Sequence, residues 1–143
     1  MSADTITTPD HLDPVQYLPT AADARERGIP ERALDLAEDI LNATFPAAKY
    51  AGARRSALAG AALYAATAAF VGRDVSQDTV GDATGTTPVS IRSWMHDMAA
   101  LAVEEESVDV AVYCESVGEL RGVWERLQYL TGGGGIPGLP VDA

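Results

Sequence analysis

Ser56–Val71, SALAGAALYAATAAFV, is sixteen residues long, carries no charge, and contains eight alanines and one glycine. A helix that is apolar on every side has no face to give to water, so the rest of the chain has to wrap it. Its small side chains let neighbours approach closely, while Leu58, Leu63, Tyr64, Phe70 and Val71 supply bulk. Ser56 is placed to cap its start and Gly72 to end it. A membrane span is the competing reading, but the segment falls short of the roughly 20 residues a bilayer needs. Arg54, Arg55 and Arg73 also bound it tightly. The segment is therefore expected to be the central helix of a core.

With 143 residues, 47% of them hydrophobic, the chain suits one globular domain around a single core. The amino terminus lacks a basic-then-apolar leader, so the expected location is the cytoplasm. One cysteine, Cys114, excludes an internal disulfide and a cysteine-based zinc site. The net charge is −11, from 21 acidic and ten basic residues. At ordinary salt such a charge repels nucleic acid and strains the compact state. In molar salt, as inside a salt-loving (halophilic) cell, the Debye length shrinks to about 3 Å and the charge is screened. That is the preferred reading.

The distribution of charge says more than its total. Met1–Asp39 carries −6, Ile40–Arg73 carries +4 with no acid, and Asp74 onward carries −9. A second acid-free run, between Asp82 and Asp97, contains Arg92 and His96. The loop before the central helix, PAAKYAGARR, supplies Lys49, Arg54 and Arg55. In so acidic a chain these basic residues are candidates for phosphate contact, against a bland reading as solvated surface.

Met1–Leu12 is polar and without periodicity. Asp13 followed by Pro14 predicts a helix to about Arg27, with Pro19 either kinking it or delaying its start. Pro30 opens a second helix to about Phe45, with Ala33, Ala37, Ile40, Leu41 and Thr44 facing inward. After the central helix, Ser76 caps a short helix, Gln77–Thr84, and Gly85 takes the left-handed exit. Thr87 caps the next helix, with Pro88 at its first position. Ile91, Trp94, Met95, Met98 and Leu101 form its inner face. Val89, Arg92, Ser93 and His96 form its outer one. A short helix, a turn and a helix with a polar outer face make a helix-turn-helix pattern.

Beyond the acidic connector Glu104–Glu106, Val108, Val110 and Val112 alternate with polar or small residues, which suggests a short strand. Ser116 and Glu119 read as a capping box. The helix it opens is expected to bury Val117, Leu120, Trp124 and Leu127. Thr131–Ala143, rich in glycine and proline, reads as a tail.

The run ARRSALAGAALYAATAAFVGRDVSQDTVGDATGTTPVSIRSWMHDMAAL resembles the cyclin-like repeats of transcription factor IIB and archaeal transcription factor B, above all the second repeat. The shared features are the alanine-rich helix with Leu63-Tyr64, the Ser76-Gln77 start, Gly85, and Val89-Ser90-Ile91-Arg92. QYLPTAADARERGIP is similar to the first helix of that repeat, so the likeness covers about Pro14–Leu101. It implies an all-α, five-helix cyclin-like bundle over 13–102, with 1–12 ahead of it. Residues 103–130 would form a carboxy-terminal extension (a short strand and a sixth helix), with 131–143 as the tail. It also implies base contacts from Val89 and Arg92, with Ser93 and His96 beside them. Lys49, Arg54, Arg55 and Ser90 would contact phosphate. A valine can pack on a thymine methyl and an arginine can bond guanine through two donors. Departures are equally plain. The single cysteine leaves no zinc ribbon, the chain carries one repeat, Trp94 replaces the usual tyrosine, and Val103 onward has no counterpart. A general initiation factor is not this chain on its own.

Two function classes follow: a DNA-binding, transcription-associated protein acting on promoter-like duplex, or an interaction module. In the second class Val117, Leu120, Trp124 and Leu127 would meet a protein of the transcription machinery or a second copy. No catalytic arrangement stands out, so an enzyme, a cofactor, a metal, a small-molecule substrate and a membrane partner are not expected.

Overall fold

A computed structural model describes residues 13–44, 50, 52–104 and 108–132. Its architecture is all-α: six α-helices and three 3-10 turns among the described residues, and no strand. In chain order the helices are α1 (Ala21–Glu26), α2 (Glu31–Thr44), α3 (Arg55–Val71), α4 (Gln77–Thr84), α5 (Pro88–Val103) and α6 (Val117–Leu130). α3 is the axis. Twelve of its seventeen residues are buried. It packs against α2, α4, α5, α6 and the 3-10 turn Pro14–Tyr17, most extensively against α5 and α2. No helix among the described residues is long and apolar enough to cross a membrane.

Local signals fix most of the boundaries. Asp13 accepts the Val15 N–H, but the turn it starts ends at Tyr17. Pro19 holds Leu18 extended (φ −72°, ψ 146°), and Thr20 caps a separate, short α1. The inward stripe of α2 is buried as expected, with Leu36 added to it. α3 starts one residue early, after an extended Arg54, and no side chain caps it. Ser56 therefore lies inside the first turn and is not the cap. Gly72, at φ 64°, ends the helix.

Close approach at Gly60 seats the helix-turn-helix on α3, and close approach at Gly81 of α4 tightens its turn. A Cβ on Gly60 would lie 2.5 Å from the Thr86 methyl, 2.9 Å from Thr84 Oγ1 and 3.3 Å from Ile91. On Gly81 it would lie 2.7 Å from the Thr86 carbonyl oxygen. The Gly81 carbonyl accepts the N–H groups of Gly85 and Thr86 at 2.8 and 2.9 Å, closing α4 through a left-handed Gly85. Thr87 Oγ1 then accepts the Ser90 N–H at 3.2 Å and starts α5.

The carboxy-terminal segment departs from expectation in two places. Val108–Val112 is not a strand. Asp109 caps a 3-10 turn, Val110–Tyr113, which buries Val108 and Val110 and leaves Val112 exposed. With no second strand to pair with, alternation alone builds nothing. α6 begins as expected, with Ser116 Oγ accepting the Glu119 N–H. The return bond of the box goes one residue further back, from the Glu115 N–H to the Glu119 carboxylate at 2.7 Å. The helix buries Val123 and Leu127, with Leu120 and Trp124 half-buried and Val117 78% exposed in the first turn. The buried stripe is thus rotated from the expected one.

Arg32 of α2 anchors this segment. Its guanidinium lies 4.3 Å from the Phe70 ring centre, donates to the Tyr113 carbonyl at 3.1 Å, and pairs with the Glu119 carboxylate. Nearby, the Tyr113 hydroxyl donates to the Asp39 carboxylate. Burial first, and the bond to Asp39 second, push the phenol above its usual range, so it stays a neutral donor. The bond from Arg32, reinforced by the Glu115 N–H, holds the Glu119 carboxyl below its ordinary value.

Three outcomes follow for stability. Gly81→Ala should lower the unfolding free energy in denaturant by about 1–2 kcal/mol, because overpacking against a fixed carbonyl outweighs the gain in helix propensity. Thr67 Oγ1 is buried in α3 without a hydrogen-bond partner among the described residues. Thr67→Val should therefore stabilise the protein by about 1 kcal/mol in the same assay. A carboxyl with a depressed folded pKa stabilises the fold above its unfolded value, about 4.3, and ceases to as pH falls through the folded one. The gap in melting temperature between wild type and Glu119→Gln should therefore be widest near neutrality and close under acid.

Candidate nucleic-acid interface

Thr87 sets the phase of α5, and that phase decides which side chains meet solvent. Val89 (65% exposed), Arg92, Ser93 and His96 are on the outer face, as the sequence predicts. Ile91, Met98 and Leu101 are buried, with Trp94 and Met95 half-buried. Trp94 packs on Tyr50, ring centres 5.8 Å apart and planes at 50°. That contact puts Tyr50, ahead of α3, against α5.

Each outer side chain is positioned differently. Arg92 Nη1 donates to Gln77 Oε1 at 2.8 Å, tying α5 to the first residue of α4. A neutral acceptor orients the guanidinium without cancelling its charge. Ser93 Oγ donates back to the Val89 carbonyl at 3.0 Å. The Ser90 N–H caps onto Thr87, and its hydroxyl accepts from Thr87 Oγ1 at 3.3 Å. His96 is drawn aside: its Nδ1 bonds the Leu130 carbonyl at the end of α6. A carbonyl only accepts, so Nδ1 carries the proton.

The basic residues near the start of α3 divide in the same way. Arg54 is exposed and has no hydrogen bond or ion pair among the described residues. Arg55 is half-buried, and its Nη1 donates to the carbonyls of Ala53 (3.0 Å) and Tyr50 (3.4 Å), bracing its own loop. Lys49 lies outside the described residues. Asp78 and Asp82 of α4 are exposed nearby in sequence, and neither pairs with Arg92.

On α6, Val117, Leu120, Arg121 and Trp124 line an open, shallow hollow together with Glu125 and Gln128. Leu127 is fully buried and faces the bundle, so it cannot present itself to a partner. Sequence reading missed the Gln77–Arg92 and Tyr50–Trp94 contacts. The former pairs two polar residues already placed on adjacent helices; the latter joins residues with no local signal between them. Comparison with models of known protein families, with curated proteins and with solved structures found no match to this chain.

Since the outer face of α5 carries no core packing, Arg92→Ala and Ser93→Ala should each change the unfolding free energy by less than about 0.5 kcal/mol. Leu127→Ala should cost about 2–5 kcal/mol in the same denaturation assay.

Proposed function

We propose that the chain binds double-stranded DNA through the α4–α5 helix-turn-helix, as a transcription-associated protein resembling one cyclin-like repeat of the transcription factor IIB family. The observation that carries the reading is the exposed group Val89, Arg92 and Ser93, at the amino-terminal end of a helix entered through the turn Gly85–Thr87. In helix-turn-helix proteins this end of the second helix reaches base edges in the major groove. Arg92 would read guanine and Val89 a thymine methyl. Arg54 would contact phosphate, and Ser90 is close enough to the helix start to assist. His96, tied to Leu130, belongs to the edge of the footprint.

Because the whole molecule carries −11, affinity depends on this local window and on salt that screens the rest. Binding should be measured against a randomised duplex pool over a range of potassium concentrations. The expected result is enrichment of a defined sequence, with Arg92→Ala losing about 1–3 kcal/mol on that sequence and little on random duplex. Equal, weak binding of every duplex by both proteins would overturn the proposal.

A second reading, a protein-interaction module, is favoured by the hollow along α6, where Val117 is 78% exposed and Leu120 and Trp124 are half-exposed. Under that reading Leu120→Ala with Trp124→Ala would abolish partner capture or self-association and leave the outer face of α5 irrelevant.

A further inference from the structure

A second cavity lies between the carboxy-terminal halves of α3 and α6, with Met95 of α5 in its wall. Its volume is about 180 Å³. Tyr64 and Ala68 of α3, Met95 of α5, and Tyr129 and Leu130 of α6 give it an apolar lining. Two arginines complete it, Arg73 after α3 and Arg126 on α6, and no Asp or Glu among the described residues lines it. In a chain with 21 acids and ten basic residues, a pocket holding two cations and no acid is the reverse of the average surface. The cations are also held differently. Arg126 Nε donates to the Ala69 carbonyl at 2.7 Å, which fixes the guanidinium plane in advance. Arg73 is exposed and has no ion pair or hydrogen bond among the described residues.

We propose that this cavity is a binding site for a small amphipathic acid, with one aromatic ring or a short aliphatic body among Tyr64, Met95 and Leu130, and a carboxylate held by Arg73 and Arg126. Size supports this: an apolar protein cavity of roughly 150 Å³ accommodates benzene. Charge decides the rest, since guanidinium donors to a carboxylate make strong, directional bonds and reject neutral isosteres. Leu130 links the pocket to the outer face of α5, because its carbonyl holds His96. A ligand against Leu130 should therefore be felt at the His96 ring.

Phenylacetate and hexanoate are the probes, with 2-phenylethanol as the neutral control, titrated into the full chain by calorimetry and by NMR of the Met95 methyl and His96 ring signals. The expected affinity for the acids is on the order of millimolar or tighter, and about tenfold or more above the alcohol. Arg73→Gln, an exposed change that leaves the fold intact, should weaken the acids to the level of the alcohol, with Arg126→Gln doing the same. Equal binding of acid and alcohol, or undiminished binding by both variants, would overturn the proposal. So would an absence of binding to the full chain, including the case in which binding appears only after removal of residues 133–143, which would assign the cavity to the chain's own segment.

Discussion

Close contact with a helix made of alanines is the constraint the whole bundle obeys. Each alanine of α3 buries little area, so the helix contributes stability only where its neighbours reach its backbone. Gly60 provides that reach at the turn between α4 and α5, where any side chain would strike Thr84 or Thr86, and Gly81 of α4 lets the turn itself close against the Thr86 carbonyl. The geometry of the helix-turn-helix is therefore set from behind, by α3, and not by the turn residues alone. With Ile91, Met98 and Leu101 pinned inward, Val89, Arg92 and Ser93 have nowhere to go but outward.

The far side of the bundle is held by different physics. Arg32 spans three elements at once, through the Phe70 ring, the Tyr113 carbonyl and the Glu119 carboxylate. It ties α2 to the start of α6, while Val123 and Leu127 bury against the core. At the other end of α6 the Leu130 carbonyl bonds the His96 ring on the outer face of α5.

Local chemistry was readable and long-range chemistry was not. Ser76, Gly85, Thr87 and Pro88 act within one turn of themselves, so α4 and α5 begin and end where those residues say. The outer face of α5 was legible for the same reason, since a known cap fixes the phase of the helix that follows. Arg32 and Glu119 stand 87 residues apart, and nothing local announces their pairing. On α6, Val117 is expected inward and is exposed, whereas Leu127 is buried as expected and Val123 joins it. Alternation at Val108–Val112 misled because a two-residue period also fits a chain that buries Val108 and Val110 and then turns. Of the basic residues, Arg54 is exposed without an ion pair among the described residues, whereas Arg55 braces its loop and His96 is held by α6.

The proposed DNA contact rests on the exposed start of α5, with Arg54 as an exposed cation just ahead of α3. Its most direct measurement is a residue-by-residue NMR map of the chain mixed with duplex DNA at high potassium. Signals of Val89, Arg92 and Ser93, and the side chain of Arg54, should shift together while Val117 and Trp124 stay in place. Shifts confined to the Val117–Trp124 hollow, or none at all, would contradict the account.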